Sequence, residues 1–401
     1  MSTNVEQSEF AKDCDQPSLN VHDQDQELMT VSEQRLLQTF SASSESDFNE
    51  EISSSESSDD SENEIDIQDF SEQLRSWYSN NNITLKAFSE LLKILKKQDP
   101  FTSLPCEATT FLRTPKISDI KPVAGGDYIH FGFTEHIEKL LDQEEYSASE
   151  VNLYIGIDGI PIEKSTKKSF WPILCIVEPL DPSPFPVGIW SGESKPTDSN
   201  EYLEEFVQEL KHLMSTNIES ESAQLKIKKV TFVCDAPARS FVTCTKGHTG
   251  YSCCLKCNIV GQQFKNRVIF TALNCPLRTN ESFRRQLDED HHKSTSIIEE
   301  LDIDIPASFP YEFMHLICLG VMKKLVLCYL RGNYQFFRLS SVQVNLISQD
   351  LLNLRQYIVL EFNRKPRRLE EVDRFKATEF YQLLMYTGVV VLSRLPSDHY
   401  N

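Results

Sequence analysis

Apolar positions are unevenly distributed along the 401 residues, and their spacing marks out the elements. Residues 1–70 carry no periodic apolar pattern; Ser, Asp, Glu and Gln dominate, ending in the run SSSESSDDSENEID. Such a segment cannot bury enough apolar area to offset the entropy of ordering, which predicts a disordered acidic tail. The pattern then changes. Leu74, Trp77, Ile83, Leu85, Phe88, Leu91, Leu92, Ile94 and Leu95 recur at helical spacing on either side of the polar break YSNNN. That spacing predicts two short helices, a small packing module over 71–115. The proline-punctuated stretch LPCEATTFLRTPKISDIKPVAGG reads as a link.

The most regular part comes next. VNLYIGIDGI, SFWPILCIVEPL and PFPVGIWSG are short apolar runs bounded by turn residues, and each predicts a strand. SNEYLEEFVQELKHLM is an amphipathic helix with Ser199 or Asn200 as its cap, and LKIKKVTFVCDAPA predicts a fourth strand. Three strands, a helix and a strand is the order a ribonuclease H-like α/β fold requires: an antiparallel region, then a right-handed crossover to a parallel partner. Propensity alone leaves other α/β folds open.

Composition changes this picture in two ways. With 40% apolar and 10% aromatic residues the body can bury a sizeable core. The formal charge of −20 is concentrated at one end, where residues 1–70 hold 19 acids and 2 bases. The remaining 41 acids and 38 bases nearly balance, so the low pI does not exclude nucleic-acid binding by the body. Eleven cysteines, odd in number and partly adjacent at Cys253 and Cys254, argue against a disulfide framework. The opening MSTNVEQSEF has neither a basic nor an apolar leader region. The longest apolar stretch, Phe313 to Leu330, is interrupted by Lys323 and Lys324, short of the roughly 20 residues a membrane span needs. A reducing compartment, cytosol or nucleus, is the expectation, with no membrane partner.

Two constellations carry candidate chemistry. Asp158 and Asp235 each end a strand-like run and precede a small residue. If the crossover sets their strands side by side, both carboxylates emerge at one sheet edge. Two such groups and a third acid can hold two divalent ions about 3.5–4 Å apart for in-line phosphoryl transfer. As a bland alternative, acids at strand ends are ordinary turn formers. The second constellation is HTGYSCCLKC, where Cys254 and Cys257 are spaced as half of a tetrahedral zinc site. His248, His291, His292 and His315 are the candidates to complete it, and chance pairing or a redox dithiol are the alternatives. The basic run RKPRR at Arg364 to Arg368 is either a phosphate contact or a solvated loop.

The blocks IDGIPIEKS, SFWPIL, PFPVGIWSGESKP, CDAPARSFV, KGHTGYSCCLKC, RTNESF, FPYEFMHLICLGVMKKL and FKATEFYQLLMYTG, taken in order, resemble the transposase domain of CACTA/En-Spm-related elements of animal genomes. The likeness runs from about Leu74 to the end. It implies a ribonuclease H-like core that cleaves and joins double-stranded DNA at transposon ends in the nucleus, with Mg²⁺ or Mn²⁺, and it allows a homo-oligomer. It places the first two catalytic acids on Asp158 and Asp235. Glu379 in KATEF is preferred as the third, with Glu312 in YEFMH as the alternative. It also implies Zn²⁺ on Cys254, Cys257, His315 and His292. The core then covers 116–260, a long and mainly helical zinc-containing insertion covers 261–370, and the last core helix lies in 371–401. This family usually continues past LSRLPSDHYN and carries a recognisable DNA-binding zinc finger ahead of the core. Those two departures support the alternative of an inactive, truncated relic that acts as a DNA-binding or protein-interaction module.

Overall fold

The computed structural model describes residues 67–81, 83–114, 119–143, 149–162, 167–216, 218–219, 224–332, 338–360, 362, 364–393 and 395. The acidic segment therefore lies outside the described residues up to position 66. Its last four positions do not belong to a tail, because Ile67 to Phe70 open a helix, α1 (Ile67–Asn80). The YSNNN break leads to α2 (Leu85–Leu95), where the Thr84 hydroxyl accepts from the Ala87 N–H and caps the first turn. A one-turn helix, α3 (Ala108–Phe111), closes a small apolar cluster of Phe88, Leu92, Leu104, Ala108 and Phe111. The module has its own core, as the spacing of its apolar residues predicts.

A mixed sheet of eight strands follows, in the order β1 (Lys121–Val123), β2 (Gly126–His130), β6 (Asp181–Glu193), β5 (Lys168–Glu178), β3 (Glu150–Ile157), β8 (Gln224–Val233), β7 (Ile218–Glu219), with β4 (Ile160–Pro161) on β5. Among the described residues only β3 and β8 are parallel; every other pairing in this sheet is antiparallel. Within the stretch expected to be a link, β1 and β2 form a hairpin that adds two strands beyond β6. Ala124 (φ 48°) and Gly125 (φ 79°) turn it, the two consecutive positive φ values that a two-residue hairpin loop demands.

Helix α4 (Thr134–Gln143) precedes β3, and α5 (Ser199–Thr216) links β6 to the β7–β8 edge. The Asp198 carboxylate accepts from the N–H groups of Asn200 and Glu201, so the cap lies one residue earlier than the sequence suggests. Tyr202, Leu203, Phe206, Val207, Leu210 and Leu213 form one fully buried face of α5. Each contributes about 1.5–3 kcal/mol relative to exposure, and the stripe seats the helix across the sheet against Leu153, Ile155, Val187 and Phe232. β3 is buried from Leu153 to Ile157, with Leu153, Ile155 and Ile157 in the main core and Tyr154 packed with Ile176 on the other face.

The chain beyond β8 departs from the expected boundaries. Helix α6 (Ala236–Val242), the small hairpin β9 (Gln262–Phe264) and β10 (Arg267–Ile269), α7 (Asn280–Arg284) and α8 (Ile305–Ser308) are joined by long irregular segments. Leu255, Phe283, Ile298, Leu301, Ile305 and Phe309 from this part are buried in the same core as the sheet. Helical structure dominates only after Phe313: a π-helix at Met314–Met322, α9 (Lys323–Arg331), α10 (Ser341–Leu354), α11 (Ala377–Gln382), a second π-helix at Leu383–Thr387 and α12 (Gly388–Leu392). These build a separate cluster around Met322, Ile347, Leu351, Val372, Phe380 and Val391.

Gly188 in β6 faces the buried Tyr128 of β2, and a Cβ there would overlap the phenol ring. Gly188→Ala is expected to lower stability by about 1–3 kcal/mol, the usual cost of overpacking a filled core. A reduced urea midpoint with an unchanged slope checks this; an unchanged midpoint would show that Tyr128 can move aside.

Candidate carboxylate site at the ends of β3 and β8

The parallel register brings Asp158 and Asp235 together. Gly156 pairs with Val233, and each aspartate lies two residues beyond that pair on strands about 4.8 Å apart. Local hydrogen bonds then fix each side chain. Asp235 is the N-cap of α6, its Oδ1 accepting from the Ala238 N–H at 2.7 Å, with Pro237 in the first turn. Asp158 Oδ1 accepts from the N–H of Gly159 at 2.7 Å. Gly159 lies against the Trp171 indole, where a Cβ would be 2.8 Å from the ring, so the turn after β3 is held close to β5.

A third carboxylate, from the start of the helical unit, acts on Asp158 through its charge. Glu312 Oε1 accepts from the Met314 N–H, while Oε2 accepts from the His315 N–H and from Nδ1 of the same imidazole, all at 2.6 Å. Glu312 thus caps the first π-helix and holds His315 on that helix's first turn; π-helical turns are rare and often mark functional positions. Burial pushes the Asp158 carboxyl above its usual range, and the negative charges of Asp235 and Glu312 add to the shift. Asp158 is open to solvent on one side while protein surrounds it elsewhere, which is why burial still leads. The His315 imidazole is raised chiefly by its hydrogen bond to Glu312, then by the charges of Glu312, Asp235 and Asp158. Four groups therefore share one electrostatic neighbourhood: Asp158, Asp235, Glu312 and His315.

The raised Asp158 carboxyl has a measurable consequence. Below the unfolded-state value of about 3.8 the group is protonated in both states, and as pH rises from there through the higher folded-state value, stability is lost. Asp158→Asn should therefore raise the thermal midpoint at neutral pH, with the gain vanishing at pH 3 and below. A lower midpoint at pH 7 would mean that the ionised carboxylate stabilises the fold and is not held against its own preference.

Glu379 lies in the first turn of α11, which packs on the Met314–Met322 helix, with Phe313 and Tyr381 rings 5.9 Å apart. Its carboxylate is buried and committed elsewhere: Oε1 and Oε2 accept from Arg367 Nε and Nη2 at 2.7 and 2.6 Å, and Oε2 also caps Lys376 N–H at 2.9 Å. Arg367 reaches the Arg374 carbonyl as well, and Arg368 bonds Asn345 and Glu370. The run at Arg364 to Arg368 therefore contributes two arginines that brace the helical unit.

Cys254 and Cys257 are free thiols with sulfurs 3.5 Å apart. Burial opposes ionisation of Cys254, but hydrogen bonds from the Tyr311 hydroxyl (3.2 Å) and from the Cys257 and Lys256 N–H groups outweigh it and lower the thiol; burial raises Cys257. The histidines do not complete this pair. His315 is bonded to Glu312 through Nδ1, which leaves Nε2 available, but the ring is not gathered with the two thiols. His291 donates from Nδ1 to the Ser252 carbonyl at 2.7 Å, and burial drops its pKa to about 4. His292 is buried against Phe283, and neither ring nitrogen has a hydrogen-bond partner among the described residues. Among the described residues no three His, Cys, Asp or Glu side chains gather closely enough to hold a metal ion. The four-ligand zinc set of Cys254, Cys257, His292 and His315 is therefore not assembled.

For a divalent ion between the carboxylates the fit is partial: Asp158 and Asp235 make a pair of donors, and among the described residues no third His, Cys, Asp or Glu is gathered closely enough to complete a site. Asp158 and Asp235 offer hard oxygen donors from adjacent strand ends, in a cluster whose mutual repulsion a cation would relieve. Glu312 has both oxygens occupied by His315 and the helix N-terminus. No sequence signal marks His315 as a partner of the carboxylates; its position three residues after Glu312 matters only once that segment is helical. No known protein-family model matches the chain, nor does any curated protein.

Proposed function

We propose that the Asp158, Asp235 and Glu312 cluster is a phosphoryl-transfer centre acting on DNA, in a transposase of the ribonuclease H-like type. The parallel pairing of β3 and β8, which brings both aspartates to one edge, carries this reading. The sheet order supports it: β6, β5, β3 and β8 lie side by side as third, second, first and fourth strands, the arrangement a ribonuclease H-like core requires. The likeness of the sequence blocks to CACTA/En-Spm-related transposases supplies the substrate, double-stranded DNA at element ends, and with it a nuclear location. Among the described residues no helix is long and apolar enough to cross a membrane.

In this reading Asp158 and Asp235 are the residues that hold the divalent ion, Mg²⁺ or Mn²⁺. When bound, such an ion neutralises charge on the scissile phosphate and acidifies an attacking water or hydroxyl. Asp235 is oriented by its cap on α6 and Asp158 by Gly159, so both are set before substrate arrives. His315, whose imidazole the Glu312 hydrogen bond raises above its ordinary value, is the group of this neighbourhood that can pass a proton to the leaving oxygen. Glu312 replaces Glu379 as the preferred third acid, because the Glu379 carboxylate is neutralised by Arg367. Zinc has no step in this scheme.

A second reading, a catalytically silent DNA-binding relic, is favoured by one observation: both candidate third acids are already paired, Glu312 with His315 and Glu379 with Arg367. Calorimetric titration of the chain with Mn²⁺ separates the two. Binding that is lost in Asp158→Asn and weakened in Glu312→Gln supports the enzyme, whereas no binding supports the relic.

A further inference from the structure

We propose that Lys195, Lys246 and Lys293, continued by Arg239, form a track that grips the phosphodiester backbone of a nucleic-acid duplex beside the Asp158 and Asp235 edge. The inference deepens the reading of the carboxylates as a phosphoryl-transfer centre and assigns the surface that would carry its substrate. Three elements meet here. Thr245 and His292 form an antiparallel bridge, with the Lys246 N–H donating to the His291 carbonyl at 2.8 Å and the Lys293 N–H to the Cys244 carbonyl at 2.9 Å. Thr245 and His292 are buried, and the exposed lysines stand next to them on either side of the bridge. Lys195, from the loop after β6, lies over the Phe241 ring at 4.9 Å, and Phe241 packs on Trp171, the residue against which Gly159 is set. Arg239, one helical turn past Asp235, stacks over Tyr311 at 5.0 Å, next to Glu312.

Part of the positive charge of the chain is neutralised in place. Lys121, Lys211, Lys228, Arg278, Arg331 and Arg367 each have a carboxylate within 4 Å. Among the described residues Lys195, Arg239, Lys246 and Lys293 have no such ion pair; other cations, Lys226 and Arg267 among them, share this, and what sets Lys195, Lys246 and Lys293 apart is that they are grouped. Asp198 is nearby, but its carboxylate caps α5. Lys293 is pushed down from its ordinary value by burial and then by the positive charges of Lys195 and Lys246, so the three lysines repel one another. A cluster of mutually repelling cations is relieved by a bound polyanion, and the regular spacing of charge along a phosphodiester backbone supplies one.

The test is fluorescence anisotropy of a labelled DNA duplex with the full-length chain in EDTA, titrated over a range of salt concentrations. Lys195→Gln/Lys246→Gln/Lys293→Gln should bind at least about tenfold more weakly near physiological salt, and the slope of log affinity against log salt should fall by about three, roughly one for each phosphate no longer neutralised. Lys121→Gln/Lys211→Gln/Lys228→Gln removes the same charge from paired lysines and should change neither quantity. Equal effects of the two triple variants, no effect of the first, or no duplex binding by the wild-type chain would overturn the proposal. Failure here is separable from failure of the catalytic reading. Loss of nicking in Asp235→Asn with an unchanged salt slope in the lysine variant would leave the carboxylates standing without the track. A reduced slope in a chain that never nicks would leave the track without the chemistry.

Discussion

Under the proposed phosphoryl-transfer reading, Asp235→Asn will reduce metal-dependent nicking of a supercoiled plasmid by on the order of 10³-fold or more, through loss of several kcal/mol of transition-state charge stabilisation. The substitution separates chemistry from folding because Asn is as good an N-cap as Asp. The amide oxygen can still accept from the Ala238 N–H, so α6 and its buried Ala238 and Val242 keep their place. Circular dichroism and the thermal midpoint should therefore remain close to wild type while nicking disappears. Glu312→Gln should also suppress nicking, and it should lower the pH at which His315 loses its proton, since the carboxylate charge that raises the imidazole is gone. Nicking at the wild-type rate by Asp235→Asn would remove the phosphoryl-transfer assignment whatever the sheet order.

Arg367→Met is expected to destabilise the chain by about 3 kcal/mol, since it leaves the buried Glu379 carboxylate without its cation. The value is taken at the low end of the range for broken buried pairs because Arg367 is partly exposed. Arg367→Met/Glu379→Gln should recover much of the loss, as the amide can still accept from the Lys376 N–H and no charge is stranded. Differential scanning calorimetry of the single and double variants measures both effects. If Arg367→Met proves neutral in stability while Glu379→Gln abolishes nicking, Glu379 is a working acid and Arg367 only a resting partner, which restores the assignment the sequence preferred.

What the sequence determined by itself is local. The helical period over Leu74 to Leu95 specified the small module, and the apolar runs ending in Asp158 and Asp235 specified two central strands with their terminal acids, because a strand's length and end are written in adjacent residues. The β1–β2 hairpin was also within reach: Ala124–Gly125–Gly126 is a turn signal, missed because the prolines around it suggested a link. The start of α1 at Ile67 was obscured by the acidic residues before it. Other features were decided only by tertiary structure. Choosing between Glu312 and Glu379 depends on partners 3 and 12 residues away, His315 and Arg367, and the sequence preference for Glu379 took no account of them. The zinc set is not assembled among the described residues, since spacing can bring two thiols together on one turn but cannot say whether distant histidines reach them. Grouping Lys195, Lys246 and Lys293 required a bridge between Thr245 and His292 and a loop from the far end of β6. Coulombic and hydrogen-bond energies depend on distance in space, and local residue patterns carry that distance only within a single turn or strand.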